Sequence, residues 1–239
     1  MSANFPVLDE QTIIRIVHDM DERGYGVAEG CIDADAMASA RCFVEQAVGA
    51  ADGQYVVFTG PQNIADPLLA SLAEAPEFVA ACKAIYAKGV GRAGPDAPFY
   101  QVLRCLSGST GKRESYIFHY DSYVLTALLP IVIPNEGQAG DLVLLPNTRP
   151  IRKTYLGNLV DKLLLDNGVS QRLLRAGLKF GRLDATKVRM VPGNIYFFWG
   201  CRTIHCNEPC DEDKIRATAV FHYGDPHAGS SLRKLLRGK

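Results

Sequence analysis

Two histidines and an aspartate carry the strongest chemical signal in this 239-residue chain. In the segment SYIFHYDSYVLTALLPI, His119 and Asp121 stand two residues apart, so in a strand both side chains point to one face and Tyr120 to the other. An imidazole beside a carboxylate can hold a divalent metal. The pair alone is a common pattern, and its weight comes from a later run, VPGNIYFFWGCRTIHCNEPCDEDKIRATAVFHY. There a proline-glycine turn, an aromatic strand, His205, a polar loop and a returning strand from Arg216 read as a hairpin-like unit. With His205 the set becomes two histidines and one carboxylate. Such a set leaves three adjacent coordination positions open, the facial arrangement of non-haem Fe(II) oxygenases.

An open iron site needs a co-substrate that reduces O2, and a dicarboxylate such as 2-oxoglutarate needs a cation at its far end. Arg216 and Thr218 lie two apart on the last strand and share a face. The guanidinium is a permanent cation whose planar fork matches a carboxylate, and the threonine hydroxyl adds a donor.

These residues need rigid elements to bring them together. QTIIRIVHDMDERG has apolar residues at helical spacing and Gly24 where a C-terminal cap belongs; YGVAEGCI reads as a strand; DADAMASARCFVEQAV, starting with capping aspartates at 33 and 35, predicts a second helix. From residue 97 onward the texture is strands and turns: FYQVLRCL, SYIFHYDSYVLTALLPIVI, GDLVLLP, VRMVPGNIYFFW and IRATAVFHY. A helical, basic insertion interrupts them at about 147–190. The reading is α+β to mainly β, one domain over 1–239, with helices packed outside a β-sandwich or barrel.

Charge and composition narrow the function. With 26 basic and 26 acidic side chains the chain lacks the basic excess of a general nucleic-acid binder. The balance is uneven, however: residues 149–190 carry ten bases against three acids, which suits a basic wall facing an anionic small-molecule substrate. No apolar run reaches the roughly 18 residues of a spanning helix, so no membrane span is expected. Seven scattered cysteines and a start, MSANFPVLDEQ, without an apolar core lead to an expectation of a reducing cytoplasm.

The HYD at 119–121, His205, and Arg216 eleven residues later resemble the signature of the Fe(II)/2-oxoglutarate-dependent dioxygenases, and within them the phytanoyl-CoA dioxygenase-like group. The opening helix, GYGVAEG strand and second helix, the AGDLVLLPNTRP segment and the PGNIYFFWGCRTIH segment add to the likeness, which extends from about residue 10 to 225. It implies a double-stranded β-helix (jelly-roll, cupin-like) core, Fe(II), 2-oxoglutarate and O2 as cofactor and co-substrates, and oxidation of a substrate C–H bond with succinate and CO2 as co-products. It assigns His119, Asp121 and His205 to the metal and Arg216 and Thr218 to the distal carboxylate. Where this group usually has a glycine-serine-histidine turn after GDLVLLP, this chain has Asn147, Thr148 and Arg149. The carboxylate at Asp121 disfavours a halogenase, in which a small residue stands there.

For the substrate, Gln101 and Arg104 before the HxD pair, Arg113 in its connecting loop, and Arg149 at the start of the insertion are candidate contacts on a basic rim, with Tyr100, Arg152 and Lys153 nearby. His222 shares a strand face with Arg216 and reads as a core histidine within reach of the pocket, whereas His18 and His227 read as surface residues. Cys201, Cys206 and Cys210 lack the paired knuckles of a zinc site. The run Tyr196–Trp199 reads as alternating core packing. The insertion is a candidate lid or homodimer contact. A jelly-roll binding module without chemistry, or a cupin-like enzyme using another metal, would need no cation eleven residues after the last ligand.

Overall fold

The computed structural model describes residues 5–237, so the two ends of the 1–239 span lie outside the described residues. Helix α1 (Glu10–Glu22) starts where the Asp9 carboxylate accepts from the Thr12 amide, and it buries Ile13, Ile16, Val17 and Met20. Gly24, just past its end, takes φ +90°. Helix α2 (Ala34–Ala50) is capped by Asp33 and buries Met37, Ala40, Val44 and Val48. Between β1 (Gly26–Ala28) and the later strands lie elements for which the sequence reading made no assignment: β2 (Val56–Thr59), α3 (Pro67–Glu74) and α4 (Pro76–Val90). Both added helices begin with proline in the first turn, where the missing N–H costs nothing.

The remaining elements are β3 (Tyr100–Leu106), α5 (Gly108–Arg113), β4 (Leu125–Val132), β5 (Leu142–Leu145), α6 (Tyr155–Asp166), α7 (Gly168–Lys179), β6 (Thr186–Val188), β7 (Ile195–Trp199), β8 (Ile204–Asn207), β9 (Arg216–Tyr223) and α8 (Ser231–Arg237). They build a large antiparallel sheet in the order β1-β7-β4-β9-β3-β2 and a small one in the order β6-β5-β8. Leu128, Tyr196 and Phe198 of the large sheet meet Leu142, Leu144 and Val188 of the small one in a shared interior. Period-2 alternation then sends Phe197, Trp199, Ala219 and Phe221 outward against α1–α4. On the opposite side, Val143, Leu145, Phe118 and Tyr120 face outward and are covered by Leu165, Leu174 and Leu178 of the insertion.

Two expectations are corrected. The segment from β7 to β9 is not a hairpin, because β7 and β9 belong to the large sheet and β8 to the small one. The chain crosses the sandwich, which sets His205 opposite Arg216 rather than beside it. The HxD pair also lies outside any regular strand: among the described residues its one β-bridge, before β4 begins, joins His119 to His205. Among the described residues no helix is long and apolar enough to cross a membrane.

Candidate metal centre and its anion-binding end

The two histidines are locked to one another by backbone. His119 N–H donates to the His205 carbonyl (3.0 Å) and His205 N–H to the His119 carbonyl (3.1 Å), while the Asp121 amide reaches the Gly200 carbonyl (2.9 Å). Each imidazole also spends its Nδ1 locally, His119 on the Ile117 carbonyl at 2.9 Å and His205 on the Thr203 carbonyl at 3.1 Å. A carbonyl can only accept, so both Nδ1 atoms carry the proton and both Nε2 atoms keep a lone pair. Asp121 Oδ1 lies 3.8 Å from His119 Nε2 and 3.5 Å from His205 Nε2. The three ligand atoms fall within 4.8 Å of one another, the one such cluster of His, Cys, Asp and Glu among the described residues. Two neutral imidazoles and a carboxylate converging on one point fit a divalent cation.

Electrostatics prepare the same state. Burial, with a second imidazole close by at His205, pushes the His119 imidazole toward its neutral form. Burial alone would raise the Asp121 carboxyl, but His205 and His222 beside it hold it well below the usual carboxylate range.

Thr126 was not foreseen. It is the hydroxyl in the otherwise apolar strand β4, and its Oγ1 donates to Asp121 Oδ2 at 2.6 Å, leaving Oδ1 for the metal. His222 also belongs here rather than to a sealed core: its Nδ1 is 3.1 Å from Thr126 Oγ1, and it lines the cavity because β9 places it level with Thr126. Gly200 completes the arrangement, since a Cβ there would sit 2.4 Å from Asp121 Oδ2. Thr126→Val keeps the shape and removes the bond, so metal affinity is expected to fall about 10–100-fold with the fold unchanged; equal affinities by calorimetric titration would contradict this role.

Arg216 and Thr218 open into the same cavity of about 160 Å³, whose walls include Val102, Leu128, Leu142 and Val220. Arg216 Nε and Thr218 Oγ1 are buried without a hydrogen-bond partner. Burial, helped by the nearby Arg104 charge, pulls the Arg216 guanidinium down to about 10. Buried polar groups are normally satisfied, so this pair marks a place for an anion. Gly140, at φ +72°, makes room for it, because a Cβ would lie 2.6 Å from Arg216 Cδ.

The candidate substrate contacts separate. Arg104 lines the cavity, its Nε 3.3 Å from the Tyr55 hydroxyl and its guanidinium 4.0 Å from Glu114. Gln101 has the opposite parity on β3 and faces the helices, where its amide meets the Leu69 carbonyl. Arg113 ends α5 exposed to solvent. Arg149 is buried away from the cavity: it binds Asp161 (2.7 Å), Asn158 (2.8 Å) and the Cys201 carbonyl (2.7 Å), and its guanidinium lies 3.7 Å above the Tyr120 ring. It ties α6 to the back of the HxD segment. His227 is buried rather than exposed, packed edge-on against Tyr155.

No protein-family model matches the chain, and no curated protein is similar to it in sequence. Solved structures are similar in fold. HygX from Streptomyces hygroscopicus, with nickel and 2-oxoglutarate bound, superposes with TM-score 0.60 at 13% identity, covering 92% of this chain and 88% of that one. The epimerase SnoN, in complex with Fe3+, alpha ketoglutarate and nogalamycin RO, gives 0.58 at 16% identity, covering 91% and 85%. A Pseudomonas putida prolyl-4-hydroxylase gives 0.53 at 12% identity, covering 94% and 97%. The fold is thus the double-stranded β-helix, with N-terminal helices and a helical insertion.

Proposed function

We propose that this chain is a non-haem Fe(II)- and 2-oxoglutarate-dependent oxygenase acting on a C–H bond of a small anionic metabolite or biosynthetic intermediate. One observation carries the reading: a two-histidine, one-carboxylate cluster and an unpartnered buried arginine-threonine pair open into one cavity. A site for a metal alone would not need the second half. The solved structures with 2-oxoglutarate and iron or nickel support the assignment. The GYGVAEG, GDLVLLP and PGNIYFFW segments support the phytanoyl-CoA dioxygenase-like group within it.

When bound, Fe(II) with 2-oxoglutarate and O2 supplies the oxidising power, with succinate and CO2 as co-products. The chain's own residues do the positioning. His119 and His205 present fixed Nε2 lone pairs, and Thr126 turns Asp121 so that Oδ1 faces the metal. Arg216 and Thr218 receive the distal carboxylate, and the apolar walls keep water from competing for it. Arg104, beside His119 at the cavity, is the cation that supports an anionic substrate.

The test is anaerobic. Fe(II) and then 2-oxoglutarate are added to metal-free protein, and the weak visible charge-transfer band of a chelated keto acid is sought. The expected result is a saturable band that needs both additions. Iron binding without any band would remove the co-substrate from the reading, and failure to bind iron would leave a binding module.

A further inference from the structure

The insertion is amphipathic on two sides. Its inner side, with Leu165, Leu174 and Leu178, packs on the outer face of the small sheet. The opposite side is also apolar. On α6, Leu156, Val160, Leu163 and Leu164 are 46–64% exposed, and on α7 and its C-cap Val169, Leu173 and Phe180 are 66–67% exposed, with exposed Ala176 among them. Both helices lie on the same cluster, so their outward sides form one surface.

We propose that this outward face of α6 and α7 is the contact between two copies of the chain, a proposal independent of the oxygenase reading. The spacing selects the occupant. Positions 156, 160 and 163, and 169, 173, 176 and 180, follow the alternating four-three step of a seam between helices. One copy offers two such seams and no helix of its own to fill them; two copies related by a two-fold axis fill all four as a helical bundle. The area agrees. These side chains expose on the order of 600 Å² of apolar surface, at the upper end of what monomers leave open and most of the about 800 Å² per partner of a standard interface.

Charge predicts how the contact responds to salt. Arg172, Lys179 and Arg182 flank the α7 stripe with no ion pair among the described residues, and no acid occurs from Asn167 to Leu183. Two such rims repel, so added salt strengthens the dimer, the opposite of an ion-paired contact. A lipid surface would behave the other way, because its binding through basic residues weakens with salt.

Sedimentation of the full chain tests this. Wild type is expected near twice 26.1 kDa at about 50 μM, tightening as NaCl rises. Leu163→Asp and Leu173→Asp, both on exposed positions, are expected to raise the dissociation constant at least about 10²-fold with an unchanged circular dichroism spectrum. Val7→Asp, at an exposed apolar site outside the insertion, leaves the dimer intact. A wild type that sediments as a monomer overturns the proposal, as does a dimer that survives both insertion variants. Monomeric protein that pellets with phosphatidylglycerol vesicles but not phosphatidylcholine ones overturns it in favour of a membrane surface.

Discussion

Asp121→Ala is expected to abolish 2-oxoglutarate turnover, by about 10³-fold or more, while the protein melts within a few degrees of wild type. The site has only one carboxylate, and without it two neutral imidazoles face the cation with nothing to balance its charge. The fold tolerates the loss because the buried partner is not stranded: Thr126 Oγ1 retains His222 Nδ1 at 3.1 Å, and the residue 121 amide still reaches the Gly200 carbonyl. Metal affinity measured with Fe(II) or Mn(II) should fall in parallel with turnover. An alanine variant that binds metal as tightly as wild type would remove Asp121 from the site. The same loss is expected for His205→Ala, whose imidazole also packs against Phe198, so its melting temperature should fall further.

Arg216→Met should separate function from stability in opposite directions. Arg216 is 5% exposed, and burial with the Arg104 charge nearby has drawn its guanidinium down to about 10, so its charge sits in an unfavourable environment. A methionine of similar length relieves that cost, so the ligand-free variant should melt a few degrees higher than wild type. The same change removes the buried guanidinium that faces the cavity beside Thr218, and 2-oxoglutarate affinity should fall roughly 10²-fold or more. Iron affinity in the absence of 2-oxoglutarate should be unchanged, because the metal ligands lie on other segments. Arg216→Met with wild-type affinity for 2-oxoglutarate would sink the assignment of the anion-binding end, and a large drop in melting temperature would show that the arginine is paired in solution.

The candidate site was legible where the chemistry depends on spacing along the chain. His119 and Asp121 were legible as a pair because they are two apart, and their ligand atoms converge although the segment is not a regular strand; Arg216 and Thr218 share a face of β9 by strand alternation. The residues missed or misplaced depend on pairing between distant strands. Gln101 and Arg104 differ only in parity on β3, and nothing local says which parity faces the cavity; register with β9 sets Arg104 level with Thr218 and turns Gln101 to the helices. Thr126 and His222 meet because β4 and β9 align them, and Gly200 matters only because Asp121 lies against it. Arg149 looked like a rim charge beside other bases, but Asp161 and Asn158 lie one helix away and take it inward.

By itself, the sequence determined the strand-rich core and the helical insertion and singled out the candidate metal ligands and the candidate distal cation, since each rests on residue chemistry or on periods of two and near four. Tertiary structure decided that β8 leaves the large sheet, so that His205 closes the cavity from across the sandwich instead of lying beside Arg216. It also decided which charges point inward. The physical reason is that a strand's pattern specifies two faces but not its partner, and burial is settled by which strands and helices pair, an interaction between segments a hundred residues apart.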